Sequence, residues 1–353
     1  MHSNKVTPKI RIREVWIDWA KTLLIFMMVV CHAGLYGIPQ HIIYAFHMPA
    51  FFIISGYLFR PHNWRSLLIR YCIPVLFFSL INLCYNLTFE YLRGSSINIT
   101  QYLLEYIPPF YRYTPHTPSL FPGIWFIEGL LCCQLLLGIP WIYRNYKVVG
   151  CMCVLFSSLQ TVFIGNTELQ YYYIFRIPAI LPFLCLGIYI KKIFNIQYSI
   201  FNIQYSIFNI QYSIFNIQYS IFNIQYSIFN KIIIIITVII VIPLSLLNGT
   251  IDMISNTFGI NYIIFFVNAA ITSLLFFHIC ACFSPKRSIE ILSNGTLLIL
   301  GTHMIYISIW NTITGHININ RQFSATFISL IVLICSIYFT KKAANNHSCL
   351  LGK

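Results

Sequence analysis

One apolar stretch near the start of the chain carries three groups that can do chemistry. In Val15-Trp-Ile-Asp-Trp-Ala-Lys-Thr-Leu-Leu-Ile-Phe-Met-Met-Val-Val-Cys-His32, Asp18 and Lys21 stand three residues apart. On a helix they share a face and can pair. His32 follows Lys21 by eleven residues; eleven steps of about 100° return it nearly to the same azimuth, roughly 16 Å further along the axis. Ionisable groups in hydrocarbon are costly, and each one inside a membrane segment is a functional candidate with a partner to be named. The available chemistry is proton transfer, because an imidazole titrates near neutral pH. His47, in Phe46-His47-Met48-Pro49, opens a second apolar stretch near where His32 closes the first, so the two imidazoles are expected to face each other at one depth. The competing reading has Asp18 and Lys21 snorkelling to one interface while His32 reaches the other.

Further candidates lie downstream. Glu128 follows Trp125-Phe126, and His303 sits in Gly301-Thr302-His303. Each either lines the same cavity or is a satisfied structural polar group between helices. Ser55-Gly56 and Pro49 permit a bend and close helix approach, and Ser55 is a nucleophile in principle. Arg60, Arg65 and Arg70 form a basic cluster suited to phosphates, although ordinary loop charge explains them almost as well. Arg176-Ile177-Pro178 reads as an interface anchor. The twelve cysteines form no zinc or redox pattern, and Cys132–Cys133, Cys151/Cys153 and Cys280/Cys282 lie within apolar runs, so neither metal nor disulfide is expected.

The elements that must position these groups follow from composition. Of 353 residues, 58% are apolar and 8% charged, against about 25% charged in soluble domains. That excludes a disordered chain, a secreted disulfide scaffold and an ordinary soluble enzyme. The formal charge of +14 would suggest nucleic acid in a soluble protein, but here the basic residues sit in short clusters between apolar runs, so the partner is a bilayer and no nucleic acid is expected. Runs of roughly 17–25 apolar residues span a membrane. Ten such windows are read, at 16–36, 41–59, 71–89, 123–143, 148–165, 173–190, 232–248, 260–283, 291–311 and 323–340. The fold class is therefore all-α, a polytopic membrane protein of about ten helices. With both termini cytoplasmic, seventeen Lys and Arg residues fall on the inner side and four, Arg93, Arg112, Arg176 and Arg321, on the outer side. That asymmetry follows the positive-inside rule. The basic start runs into a full-length span with no small-residue cleavage site, so the first helix is expected to remain in the mature protein.

Two segments break the rhythm. Residues 90–122 form a Pro-rich outer loop whose aromatics either stack on sugar faces or belong to an interfacial belt. From Asn195 to Phe229 the unit NIQYSIF is repeated five times. Seven residues suit a helical heptad, yet the residues suit an extended strand about as well. The organisation expected is one membrane domain, helices 1–6 in 1–193 and 7–10 in 231–342, with a tolerated cytoplasmic repeat insert at 194–230 and a tail at 343–353.

Taken in order, these pieces resemble the acyltransferase-3 family of integral-membrane acyltransferases, particularly its fucose 4-O-acetylase-like branch. The resemblance rests on Trp16-Ile17-Asp18-Trp19-Ala20-Lys21 with His32, then His47-Met48-Pro49-Ala50-Phe51-Phe52 and Ser55-Gly56-Tyr57-Leu58. Arg70-Tyr71-Cys72-Ile73-Pro74, Trp125-Phe126, Leu186-Gly187 and Gly301-Thr302-His303 follow. It implies ten membrane helices and transfer of an acyl group, usually acetyl, from cytoplasmic acyl-CoA to a sugar hydroxyl of a surface glycan or its lipid-linked precursor. Acetyl-CoA is then a co-substrate, with no bound cofactor, and the setting a bacterial inner membrane. The family's active-site pair of a basic residue and a His falls on Lys21 and His32; many members carry Arg where Lys21 stands, and Lys lacks the planar fork. On this reading His32 is the base, His47 or Glu128 orients it or the acceptor, and Lys21, Arg60, Arg65 and Arg70 hold the donor. The rival class is a lipid-linked glycan flippase or a proton-coupled transporter, with Asp18, Lys21 and His32 as a relay. The two five-span halves share no obvious motif, whereas carriers often show related halves.

Overall fold

The computed structural model describes residues 14–61, 63–94, 98, 100, 112, 123–165, 167–208, 238–315, 320–346 and 348–352. The basic N-terminal residues, most of the outer loop at 90–122 and the last three copies of the heptad lie outside the described residues. The helices are α1 (Val15–His32), α2 (Ile38–Tyr57), α3 (Trp64–Leu92), α4 (Ile124–Gly138), α5 (Pro140–Arg144), α6 (Tyr146–Phe163) and α7 (Ile177–Phe208). After α8 (Val238–Asn248) come α9 (Tyr262–Ala281), α10 (Arg287–Asn294), α11 (Thr296–Thr314) and α12 (Arg321–Asn346). Each of the ten apolar windows overlaps at least one helix among the described residues. Among the described residues seven stretches are long and apolar enough to cross a bilayer, while Ile124–Gly138 and Val238–Asn248 are shorter apolar helices. The protein is an all-α polytopic membrane protein.

Position in the bundle explains the differing polarity of the helices. On α3, α6 and α12 large apolar side chains such as Leu76, Leu80, Met152, Leu155 and Ile334 remain exposed, the pattern of a lipid-facing surface, where backbone groups must be satisfied within each helix. By contrast α2 is buried continuously from Ala45 to Ile54, as expected of a helix packed on all sides. Its closest neighbour is α7, and the contact is backbone on backbone. A Cβ built at Gly56 would lie 2.0 Å from the Leu184 carbonyl oxygen, and one at Gly187 would lie 2.0 Å from that of Ile53. Only glycine fits at either point, the small-residue packing typical of membrane helices.

Three boundaries differ from the sequence expectation. The window 291–311 breaks at Gly295, splitting the surface helix α10 from α11; a Cβ at Gly295 would meet Thr340 Oγ1 at 2.0 Å. The window 123–143 breaks at Ile139–Pro140, where proline lacks the amide proton and pushes its predecessor to extended backbone. The helix over Ile177–Phe208 runs past the expected domain boundary at 194 through two copies of the repeat. Between α8 and α9 the chain forms a two-stranded antiparallel ribbon, β1 (Ile251–Asp252) with β2 (Thr257–Phe258), Ile251 opposite Phe258 and Asp252 opposite Thr257. Asn256 closes its turn at φ 54°, a left-handed conformation that Asn tolerates better than most residues.

Candidate active site

Of the stripe expected on α1, Lys21 and His32 face cavities within the bundle, while Asp18 lines a separate groove. Lys21, Ile25 and Met28 line one cavity of about 340 Å³, and Met28 and His32 line a second of about 310 Å³. Spacings of four, three and four residues keep all four side chains on one helical face. The two cavities share Met28, Met48, Phe126 and Leu300, so they meet at an apolar waist contributed by α1, α2, α4 and α11.

The first cavity is basic. Besides Lys21 it is lined by Arg60 and Arg70, with Ser55, Gln134, Asn294 and Thr296 as polar neighbours. Lys21 Nζ donates to the Ser293 carbonyl at 2.6 Å, and Thr22 Oγ1 donates to that of Ile289 at 3.2 Å. These two bonds dock α10 onto α1 and bring the ammonium to the cavity wall. Ser55 Oγ donates to the Phe51 carbonyl one turn back at 2.8 Å, so its proton is engaged in the helix and no base activates it. The C-terminal turn Ser348–Leu351 also reaches this cavity through Leu351 and Gly352.

The second cavity gathers three imidazoles. His32 is exposed to it at the last position of α1. The His32 and His303 rings lie 5.2 Å apart. His303 Nδ1 bonds the Ile299 and Leu300 carbonyls at 3.1 and 2.9 Å, and His47 Nδ1 bonds the Ile43 carbonyl at 2.7 Å. A carbonyl only accepts, so in both rings Nδ1 carries the proton and the neutral form keeps its lone pair on Nε2. The buried His303 Nε2 has no hydrogen-bond partner among the described residues. His47 is not at the start of its helix, as the sequence suggested, but in the middle of α2, stacked on Tyr44 with rings 5.5 Å apart. The ring packed against His32 is that of His303, and His47 lies on the wall of the same cavity within electrostatic reach of His32.

The remaining candidates divide. Trp125 is buried and lines the imidazole cavity. Glu128, one turn on and half-buried, lines neither cavity and lies within electrostatic reach of Arg176. Asp18 lines a separate groove with Trp19, Lys286, Arg287 and Glu290. Arg65 stays at the exposed start of α3, its guanidinium 5.3 Å from the Trp64 ring centroid and outside the basic cavity. The expectation that Arg176 anchors at the interface is wrong: its side chain is fully buried. It donates to the Ile254 carbonyl and lies over the rings of Trp125 at 5.0 Å and Tyr173 at 4.3 Å. Sequence reasoning missed Asp252, a carboxylate on the wall of the imidazole cavity. The available signal was scarcity, since the chain has only eight acids and this one interrupts the turn between two apolar runs.

The acyltransferase-3 family, described as an acyltransferase domain, matches residues 14–341. No curated protein and no solved structure matches the chain. The matched segment runs from the residue before α1 into α12 and takes in every lining residue of both cavities except Leu351 and Gly352, and the chain belongs to the acyltransferase-3 family of membrane acyltransferases.

Proposed function

We propose that the protein transfers an acyl group, acetyl by preference, from acyl-CoA bound at the Lys21 end to a hydroxyl of a cell-surface glycan or its lipid-linked precursor at the His32 end. The observation carrying this is the pair of adjoining cavities along one face of α1, which share four lining residues and are basic at one end and imidazole-lined at the other. Arg60 and Arg70 offer the forked donors that suit phosphates. The thioester arm reaches through the waist of Met28, Met48, Phe126 and Leu300. Methionines suit such a passage because their unbranched side chains adapt to what they contact.

At the far end a sugar hydroxyl is a weak nucleophile until a base takes its proton, and His32 is placed to do so. The alcohol oxygen bonds the thioester carbonyl carbon as the proton passes to the imidazole. The C–S bond then breaks, and the proton passes on to the departing CoA thiolate, leaving an ester and free CoA thiol. Lys21 stabilises negative charge on the donor side of the waist. The position of Ser55 favours direct transfer over a covalent serine intermediate. In this reading the basic end faces the cytoplasm of a bacterial cell, as the loop charges favour, and the fucose 4-O-acetylase-like branch supplies the expected acceptor class.

The test is mass spectrometry of surface polysaccharide from cells with and without the gene. Loss of one acyl unit per repeat with the polymer retained is the expected result. Depletion of the polymer itself would replace this reading with a flippase.

A further inference from the structure

Resting on the transfer reading above, we infer that the ribbon between α8 and α9 and the Trp125 indole form the acceptor subsite, with Asp252 accepting hydroxyl protons from a pyranose ring and Arg176 holding that wall in place. The ribbon is part of the cavity rather than a remote loop, since all five residues from Thr250 to Ile254 line it together with His32, His47 and His303. Asp252 is the one carboxylate among the lining residues. Its oxygens are aimed by its own turn: Oδ1 accepts from the Ile254 amide at 2.9 Å and Oδ2 from Ser255 Oγ at 2.8 Å. Ser255 Oγ also lies 3.0 Å from Thr257 Oγ1. With its own proton given to the carboxylate, Ser255 receives that of Thr257, and the polar chain ends at Asp252. An ionised carboxylate offers about four acceptor positions, so two remain for vicinal hydroxyls. Trp125, on the same wall, supplies the aromatic surface that the apolar side of a sugar ring requires.

The anchoring is unusually polar for so apolar a chain. Arg176 has no accessible surface, donates to the Ile254 carbonyl and, among the described residues, leaves Nε and Nη1 without hydrogen-bond partners. A buried guanidinium is costly, and here its hydrogen bond to the ribbon and its contact with Trp125 bear on the acceptor wall, while Tyr173 flanks it from outside the cavity lining. On the outer flank of the ribbon, Asn256 Nδ2 donates to the Gln170 carbonyl, and Asn248 Nδ2 donates to that of Phe258 at 3.0 Å. The ribbon is thereby tied to α8 and to Gln170 in the segment before α7, which braces Asp252 in the cavity it shares with His32. Arg176 acts through Ile254 and Trp125 and is a positioning residue.

The experiment uses the full chain in lipid nanodiscs with radiolabelled acetyl-CoA, reading CoA release and ester formation. The alcohol probes are methyl α-fucopyranoside, methyl α-galactopyranoside and cyclohexanol, which lacks a vicinal hydroxyl. The wild type is expected to favour a glycoside over cyclohexanol. Asp252→Asn is expected to raise the glycoside KM roughly tenfold, the scale of one charge-assisted hydrogen bond, while the acetyl-CoA KM holds. Arg176→Lys is expected to raise the same KM less, and Ser255→Ala, which frees one carboxylate oxygen without removing it, to move it least. An unchanged acceptor KM in Asp252→Asn, or no preference of the wild type for a glycoside, would overturn the subsite while acyl transfer stands. Absence of CoA release with every alcohol would overturn the transfer reading and the subsite with it.

Discussion

The two cavities on α1 are alike in volume, about 340 and 310 Å³, and opposite in construction. The basic one relies on long cationic side chains, and Lys21 is steadied by a bond to the carbonyl of Ser293 on a different helix. The imidazole one relies on short rings braced by their own helices, His47 by Ile43 and His303 by Ile299 and Leu300. Flexible point charges can follow a donor that enters and leaves, whereas a proton-transfer site must hold its reacting atoms in a narrow range of geometry. The division of labour proposed for the two ends follows from this difference in stiffness.

The largest expected effect is at the stiff end. His32→Ala removes the proposed base, and transfer should fall by about 10²–10⁴-fold with membrane abundance unchanged. Undiminished ester formation on the surface glycan would end the distinction between the cavities. His303→Ala sharpens the same point: it removes the ring 5.2 Å from His32 and should shift the pH profile of kcat without altering the acyl-CoA KM. A change in donor KM alone would place His303 with the basic end instead.

At the flexible end, Lys21→Met is expected to raise the acyl-CoA KM or lower kcat by roughly ten- to a hundredfold, since a charged hydrogen bond contributes about 1.5–3 kcal/mol. Lys21→Arg should restore part of this, because charge matters more there than the shape of the donor. Steady-state titration of acetyl-CoA decides it. If the methionine variant behaved as wild type, the ammonium would be only the strut that docks α10.

How much of this was readable in the chain depends on the kind of feature. The helices and the inward stripe of Lys21 and His32 follow from a period, and periods are local. Membrane burial also made each polar group conspicuous against apolar neighbours. The pairing of His32 with His303 was not readable, because it depends on α11 crossing α1 and on α2 starting well before His47. Arg176 misled for a related reason. An Arg beside Pro at a helix start is the sequence of an interfacial anchor, and only the packing of Trp125, Tyr173 and Ile254 around it shows a buried group. Asp252 escaped because its role depends on a short ribbon folding into the cavity, and short strands between long apolar helices leave no periodic trace.

The smallest effects test where the basic end stops. Arg65 belongs to the same sequence cluster as Arg60 and Arg70, yet it lies on exposed helix start beside Trp64 and outside the cavity. An exposed charge contributes about 0–1 kcal/mol to an interaction, so Arg65→Ala should change the acyl-CoA KM by no more than about fivefold. Arg70→Ala, by contrast, removes a cation from the cavity wall, where the C-terminal turn packs and a Cβ at Gly352 would come within 3.6 Å of Arg70 Cγ. It should therefore have the larger effect of the two in side-by-side titrations. If Arg65→Ala proved the more damaging, the phosphates would bind outside the cavity at the bilayer surface. The basic cavity would then serve only the thioester arm, and the comparison between a flexible and a stiff chamber would have to be redrawn with the nucleotide placed beyond both.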